Sequence, residues 1–184
     1  MYWLLKFDRL FKSIARLCGI LAGVALILLL LNVFYDVIMR YLFNDVSIGM
    51  QELEWHLYAT VFLLGTPYTM LRDGHVRVDI FYDHWSDQRK AWINLFGSLF
   101  FILPFIVLIA YYGMSFAYEA YDIGEGSGDP GGLPYRWIIK ALIPLSFMLM
   151  GLAGLGMITQ ALRVLISHEK YPDNHPENNT GLSP

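Results

Sequence analysis

The sequence has little of what a soluble globular protein needs. It contains one cysteine, Cys18, which excludes an intramolecular disulfide. Charged residues make up only 16% of the 184 residues, a composition that argues against a solvated surface around a soluble core. No Walker loop, Cys-x-x-Cys, His-Glu-x-x-His or Gly-x-Ser-x-Gly motif occurs, so no enzyme activity is expected.

The chain instead contains long apolar stretches. Hydrophobic residues make up 56% of it. Four stretches nearly free of charge approach the ~20 residues that an α-helix needs to cross the hydrocarbon core of a bilayer. They predict an all-α integral membrane protein with four transmembrane helices at about 17–41, 52–71, 88–118 and 136–163, within a membrane domain of residues 17–165.

The Lys and Arg residues are distributed unevenly along the chain. Four precede the first predicted span, four fall in the segment 72–91, and two lie at or after the end of the last span, whereas 43–51 and 119–134 contain none. Short cytoplasmic loops retain positive charge. The distribution therefore predicts that both termini and the segment 72–91 are cytoplasmic, and that 43–51 and 119–134 lie on the opposite side.

The two ends of the chain differ from the membrane domain. In residues 1–16, apolar side chains recur at helical spacing opposite Lys6, Arg9 and Arg16. This pattern predicts an amphipathic cytoplasmic segment that lies on the membrane surface, with a straight extension of the first helix as the alternative. Residues 166–184 contain several prolines and asparagines and few apolar side chains, and they are predicted to form a disordered cytoplasmic tail.

Charged residues also lie within or at the ends of the predicted spans. Asp36 and Arg40 stand four residues apart in the first span, and Glu52 and Glu54 begin the second. Because a charge at the bilayer centre costs about 2.5–3.5 kcal/mol, we expect such side chains to pair within the bundle or with another subunit. The glycine-rich stretch 122–132, DIGEGSGDPGG, predicts a flexible extramembrane turn, with an ion or partner site as the alternative.

The stretch after the second predicted span combines a turn residue with alternating polar and apolar side chains. Its members are Gly74, His75, Val76, Arg77, Val78 and Asp79. The glycine permits a tight turn, and the alternation after it places apolar and polar groups on opposite faces. The residues alone also fit an ordinary positively charged cytoplasmic loop.

This motif, GHVRVD at 74–79, resembles the signature of the small membrane subunit (DctQ type) of tripartite ATP-independent periplasmic (TRAP) transporters. Its His-x-x-Val-Asp core is intact as His75, Val78 and Asp79. The stretch from Glu54 in the second span, and GLPYRWIIKALIP at 132–144, are similar to the same family. The resemblance covers roughly residues 17–165.

The resemblance implies a bacterial inner-membrane transporter in three parts, in which this chain supports a large membrane subunit. A periplasmic solute-binding protein delivers the solute, mainly a carboxylate in this family. Coupling sodium is expected on the large subunit, and no cofactor in this chain. The motif 74–79 would then fix a cytoplasmic turn and act in assembly. The expected partners are the large subunit, the binding protein and the lipid bilayer, and no nucleic acid is expected.

Two other classes of function remain open from the residues alone. The small membrane anchor of a redox complex needs haem ligands within the bilayer, and His56 is the one histidine in a predicted span. A self-sufficient channel or transporter needs a polar path, and few charged residues fall at mid-membrane depth.

Overall fold

The chain folds into long helices joined by short connections. The computed structural model describes residues 2–71 and 85–167, with side chains described for 13–70, 85–159 and 161–166. Within these described ranges five α-helices follow in order: α1 Tyr2–Leu42, α2 Ile48–Leu71, α3 Asp87–Gly97, α4 Leu103–Asp122 and α5 Trp137–Ser167. A π-helical turn, Ser98–Ile102, joins α3 to α4. The prediction of an all-α protein is therefore confirmed for the described residues.

In the part of the chain that the structure describes, three helical segments are long and apolar enough to cross a membrane. They are Ser13–Leu42, the continuous rod Asp87–Asp122 formed by α3, the π-helical turn and α4, and Trp137–Ile166. In the described ranges α2, although it is 24 residues long, does not join this set. The count of four spans and the cytoplasmic position of the termini therefore stay predictions.

The amino-terminal segment does not form a separate element. α1 begins at Tyr2 and continues without a break to Leu42, so the backbone of the predicted surface segment 1–16 is helical from Tyr2 onward. At 1.5 Å per residue, its 41 residues extend about 60 Å, roughly twice the hydrocarbon thickness. The predicted tail is described only as far as Ser167, the last residue of α5.

The helices pack side by side in an order that differs from their order in the chain. α1 packs against α2, α2 packs against α5, and the rod packs against α5 on its other side. The connections 43–47 and 123–136 lie at one end of this arrangement, here called the loop end. The end of α2, the start of α3 and the end of α5 lie at the opposite end.

Small residues allow the helices to approach closely. A Cβ atom on Gly19 of α1 would lie 2.7 Å from the Tyr68 ring of α2, and one on Gly151 of α5 would lie 3.2 Å from Ile106 of α4. Near the other end, Ala91 and Ala161 are both completely buried between α3 and α5. These contacts are those of a membrane bundle, in which close backbone packing replaces a large apolar core.

Candidate functional site

The connection between α4 and α5 folds over the first turns of α2, and the Glu52 carboxylate lies at the centre of this contact. The Ser127 hydroxyl, the Leu133 backbone N–H and the Arg136 guanidinium each donate a hydrogen bond of 2.6 Å to it. Glu52 itself is only 6% exposed. We call these four residues, Glu52, Ser127, Leu133 and Arg136, the Glu52 cluster. It joins the α1–α2 hairpin to the α4–α5 hairpin.

Glycines shape this connection at particular positions. Gly124 and Gly131 have φ angles of +61° and +84°, a left-handed conformation that glycine adopts without strain. At Gly132 a Cβ atom would lie 2.2 Å from the Ser127 hydroxyl and 2.8 Å from a Glu52 carboxylate oxygen. The glycine-rich stretch, which the sequence predicts to be a flexible turn, is therefore a defined loop that is hydrogen-bonded to α2.

Three donors hold the Glu52 carboxylate. The Ser127 hydroxyl and the Arg136 guanidinium bond its Oε1, and the Leu133 amide bonds its Oε2, so both carboxylate oxygens accept hydrogen bonds. The carboxylate precedes the apolar part of α2, which starts at Trp55. Glu52 therefore holds the α4–α5 connection over the first turns of α2.

The Arg136 side chain has a second contact. Its guanidinium carbon lies 5.9 Å from the centre of the Trp55 ring, a position that permits a cation–π interaction. Its Nε is buried and has no hydrogen-bond partner among the described residues. Arg136 is thus oriented by an acid and an aromatic ring of α2, so that it fixes the start of α5 against α2.

Each basic residue near the loop end is paired with an acid. Arg136 bonds Glu52, Arg40 forms an ion pair with Asp36 one helical turn away, and Lys140 forms one with Glu125. Lys140 also lies with its Nζ 4.0 Å from the centre of the Phe116 ring. The positive charges at this end are therefore neutralised within the chain, whereas 10 of the 13 Lys and Arg residues belong to the segments that the sequence predicts to be cytoplasmic.

The other polar residues predicted in the spans have different surroundings. Asp36 is buried, while its partner Arg40 keeps 43% of its side chain exposed. Glu54 is partly buried. Asn32 donates a hydrogen bond of 2.9 Å to the Met50 carbonyl and thereby links α1 to the first turn of α2. The structure thus places Asp36, Arg40 and Glu52 at the loop end but joins only Glu52 to the α4–α5 connection.

The motif Gly74, His75, Val76, Arg77, Val78 and Asp79 lies outside the described residues. Its predicted role in assembly therefore stays a prediction. Within residues 2–71 and 85–167, no group of three or more His, Cys, Asp or Glu side chains is arranged to hold a metal ion.

Sequence reasoning did not identify Ser127, Leu133, Arg136, Glu125 or Lys140 as members of a site. Two signals were present. Arg136 and Lys140 are basic residues at the beginning of an apolar span on the side where bases are rare, which indicates that acids neutralise them. Paired glycines at 131 and 132 indicate a backbone that passes close to other atoms.

Comparison with known proteins agrees with the motif. A family model described as tripartite ATP-independent periplasmic transporters, DctQ component, matches residues 29–164, which are 136 of the 184 residues. The matched range includes the Glu52 cluster and the 74–79 motif. No curated protein matches the chain in sequence.

Proposed function

The chain belongs to the DctQ component family of tripartite ATP-independent periplasmic transporters, and we propose that it is the small membrane subunit that supports a large membrane subunit during sodium-coupled uptake of a carboxylate-type solute. This family is a family of transporter components and not of enzymes. Membership does not support a redox anchor or a self-sufficient channel.

The observation that carries the proposal is the family match over most of the chain. The contacts at the loop end favour a role in supporting the large subunit, because the charged groups there hold the chain's own helices together. Glu52 receives three hydrogen bonds from the α4–α5 connection, and Arg40, Arg136 and Lys140 are each paired with an acid. Charged groups paired in this way hold the helices in place. Few charged groups then remain to carry an ion through this chain alone.

We further propose that α2 is a fourth span and that the protein lies in the bacterial inner membrane with both termini in the cytoplasm. The 24 residues of α2 extend about 36 Å, which is long enough to cross the hydrocarbon core. α2 lies between α1 and α5, two helices that are long and apolar enough to span. Its Glu52 carboxylate is covered by the loop end instead of facing lipid.

The proposed partners are the large membrane subunit and a periplasmic solute-binding protein. Arg40 and Glu54, which keep part of their side chains accessible, are proposed contacts for the large subunit near the loop end. Asp36 acts there through Arg40, with which it is paired. The role of residues 74–79 is proposed to be assembly on the cytoplasmic side. Coupling sodium is proposed to bind the large subunit, with no cofactor in this chain.

Co-purification tests the proposal. The chain is expressed with an affinity tag together with the large permease and the periplasmic binding protein proposed as its partners, and it is purified in mild detergent. The large permease is expected to elute with it in a constant ratio. A tagged chain that elutes alone while the permease is present in the same membranes would show that the supporting role is wrong.

A further inference from the structure

The buried positions of the rod Asp87–Asp122 follow a heptad pattern with one interruption. Ala91, Ser98, Ile106, Gly113, Ala117 and Ala120 are buried. Five of them, Ala91, Ser98, Ile106, Gly113 and Ala120, are seven residues apart, with one interval of eight between Ser98 and Ile106. The sixth, Ala117, lies about one helical turn after Gly113, on the same face. The π-helical turn Ser98–Ile102 lies inside that longer interval. The rod therefore contains one residue more than a regular helix needs to keep a single face on α5.

The π-helical turn absorbs this extra residue. In an α-helix each residue is rotated by about 100° from the one before it. If the interval of eight residues were regular α-helix, the buried side of α3 would point away from α5 while that of α4 faced it. The Leu103 N–H bonds the Ser98 carbonyl, five residues back, and this wider turn restores the phase. Pro104 follows at once, and its missing N–H suits a point where the regular ladder is already interrupted.

Three local features make the turn a place where the rod can bend. Gly97 precedes it, and a Cβ atom there would meet no atom within 4 Å. The Ser98 hydroxyl is completely buried and has no hydrogen-bond partner among the described residues, so it is free to bond a backbone carbonyl released by bending. A single π-helical turn inside an α-helix often lies at a functional site.

The two halves of the rod contact α5 in different ways. The α4 half lies beside the loop end, where Glu125 forms an ion pair with Lys140 of α5 and Ser127 bonds Glu52. The α3 half packs on α5 through Ala91, which contacts Ala161 and Val164, and apolar contacts of this kind are non-directional. We propose that Ser98–Ile102 is a pivot at which α3 changes its angle to α5 while α4 stays fixed.

Distances between spin labels test the pivot in the purified full chain in lipid nanodiscs. Both label pairs use a Cys18→Ala background. The first pair, Arg89→Cys with Arg163→Cys, joins exposed positions of α3 and α5, and the second, Tyr118→Cys with Ile138→Cys, joins exposed positions of α4 and α5. The α3–α5 pair is expected to give a broad or two-component distance distribution, and the α4–α5 pair a narrow one.

Deletion of Phe101, an exposed residue of the π-helical turn, removes the extra residue and restores a seven-residue interval. The α3–α5 distribution should then narrow to the width of the α4–α5 one. Phe101→Ala keeps the turn and is the matched control, for which the broad distribution should persist. Two results would contradict the pivot: equally narrow distributions for both pairs in the unmodified chain, or an unchanged α3–α5 distribution after the deletion. Either would show that the turn only accommodates the extra residue and does not bend.

Discussion

Substitution of Gly132 by alanine should separate the α4–α5 connection from α2. The added Cβ would lie 2.2 Å from the Ser127 Oγ and 2.8 Å from the Glu52 Oε2, both shorter than any normal contact of a Cβ atom. The Ser127 Oγ donates a 2.6 Å hydrogen bond to Glu52 Oε1, and Glu52 Oε2 accepts one of 2.6 Å from the Leu133 N–H, so neither oxygen can retreat without lengthening a hydrogen bond. The loop must therefore shift as a whole, so that the Glu52 cluster loses its geometry.

Two other glycines of the same loop provide a graded comparison. Gly128 has open space around it and no left-handed φ, so Gly128→Ala should be neutral or should stabilise by about 0.4–1 kcal/mol through the unfolded chain. Gly124 also has open space, but its φ of +61° would cost alanine about 1–2 kcal/mol. Gly132→Ala overpacks the loop, which typically destabilises a protein by about 1–3 kcal/mol, and it also weakens the hydrogen bonds of the Glu52 cluster.

Thermal unfolding of the purified chain in detergent measures this series. For a chain of this size, 1 kcal/mol corresponds to about 2–4 °C in Tm, so Gly132→Ala should lower Tm by about 2–12 °C. Gly124→Ala should lower it less, and Gly128→Ala should leave it unchanged or raise it slightly. Equal Tm values for Gly132→Ala and Gly128→Ala would refute the conclusion that the loop is packed against Glu52.

Three further predictions concern charge, topology and assembly. Glu52→Gln should lower Tm, because an amide offers one oxygen to the three donors that now bond two carboxylate oxygens and it removes the charge that pairs with Arg136; an unchanged Tm would contradict this. With Cys18 replaced, cysteines at Ser47 and Gly128 should react with an impermeant thiol reagent from the periplasmic side and one at Ser86 should not; labelling of Ser86→Cys would reverse the orientation. Asp79→Ala should lower the amount of assembled complex and the maximal uptake rate together, and a raised half-saturation concentration at normal assembly would instead place residues 74–79 in solute handling.

The helices were largely predictable from the sequence, because length and apolarity set the spans of a membrane bundle. The predicted first span, about 17–41, lies within α1, and the third, about 88–118, lies within the rod. The π-helical turn was not predicted, since it appears only as one extra residue between buried positions. α1 begins at Tyr2, so the segment before the predicted first span continues the same helix. The amphipathic spacing of that segment fits both a continued helix and a separate surface helix, and so it could not distinguish the two.

The Glu52 cluster could be predicted only in part. Glu52 was a candidate because an acid at the start of a span needs a partner. Its actual partners lie 75, 81 and 84 residues further along the chain, at Ser127, Leu133 and Arg136. No local spacing relates residues so far apart, and one of the donors is a backbone N–H that any residue type carries. The fold alone brings them together.

Reconstituted uptake tests the supporting role most directly. The large membrane subunit and the binding protein are placed in liposomes with an inward sodium gradient, with and without this chain, and uptake of a carboxylate that the binding protein binds is measured. The account predicts uptake only when all three proteins are present, and none from this chain alone. Equal uptake without this chain, or solute flux from this chain by itself, would contradict it.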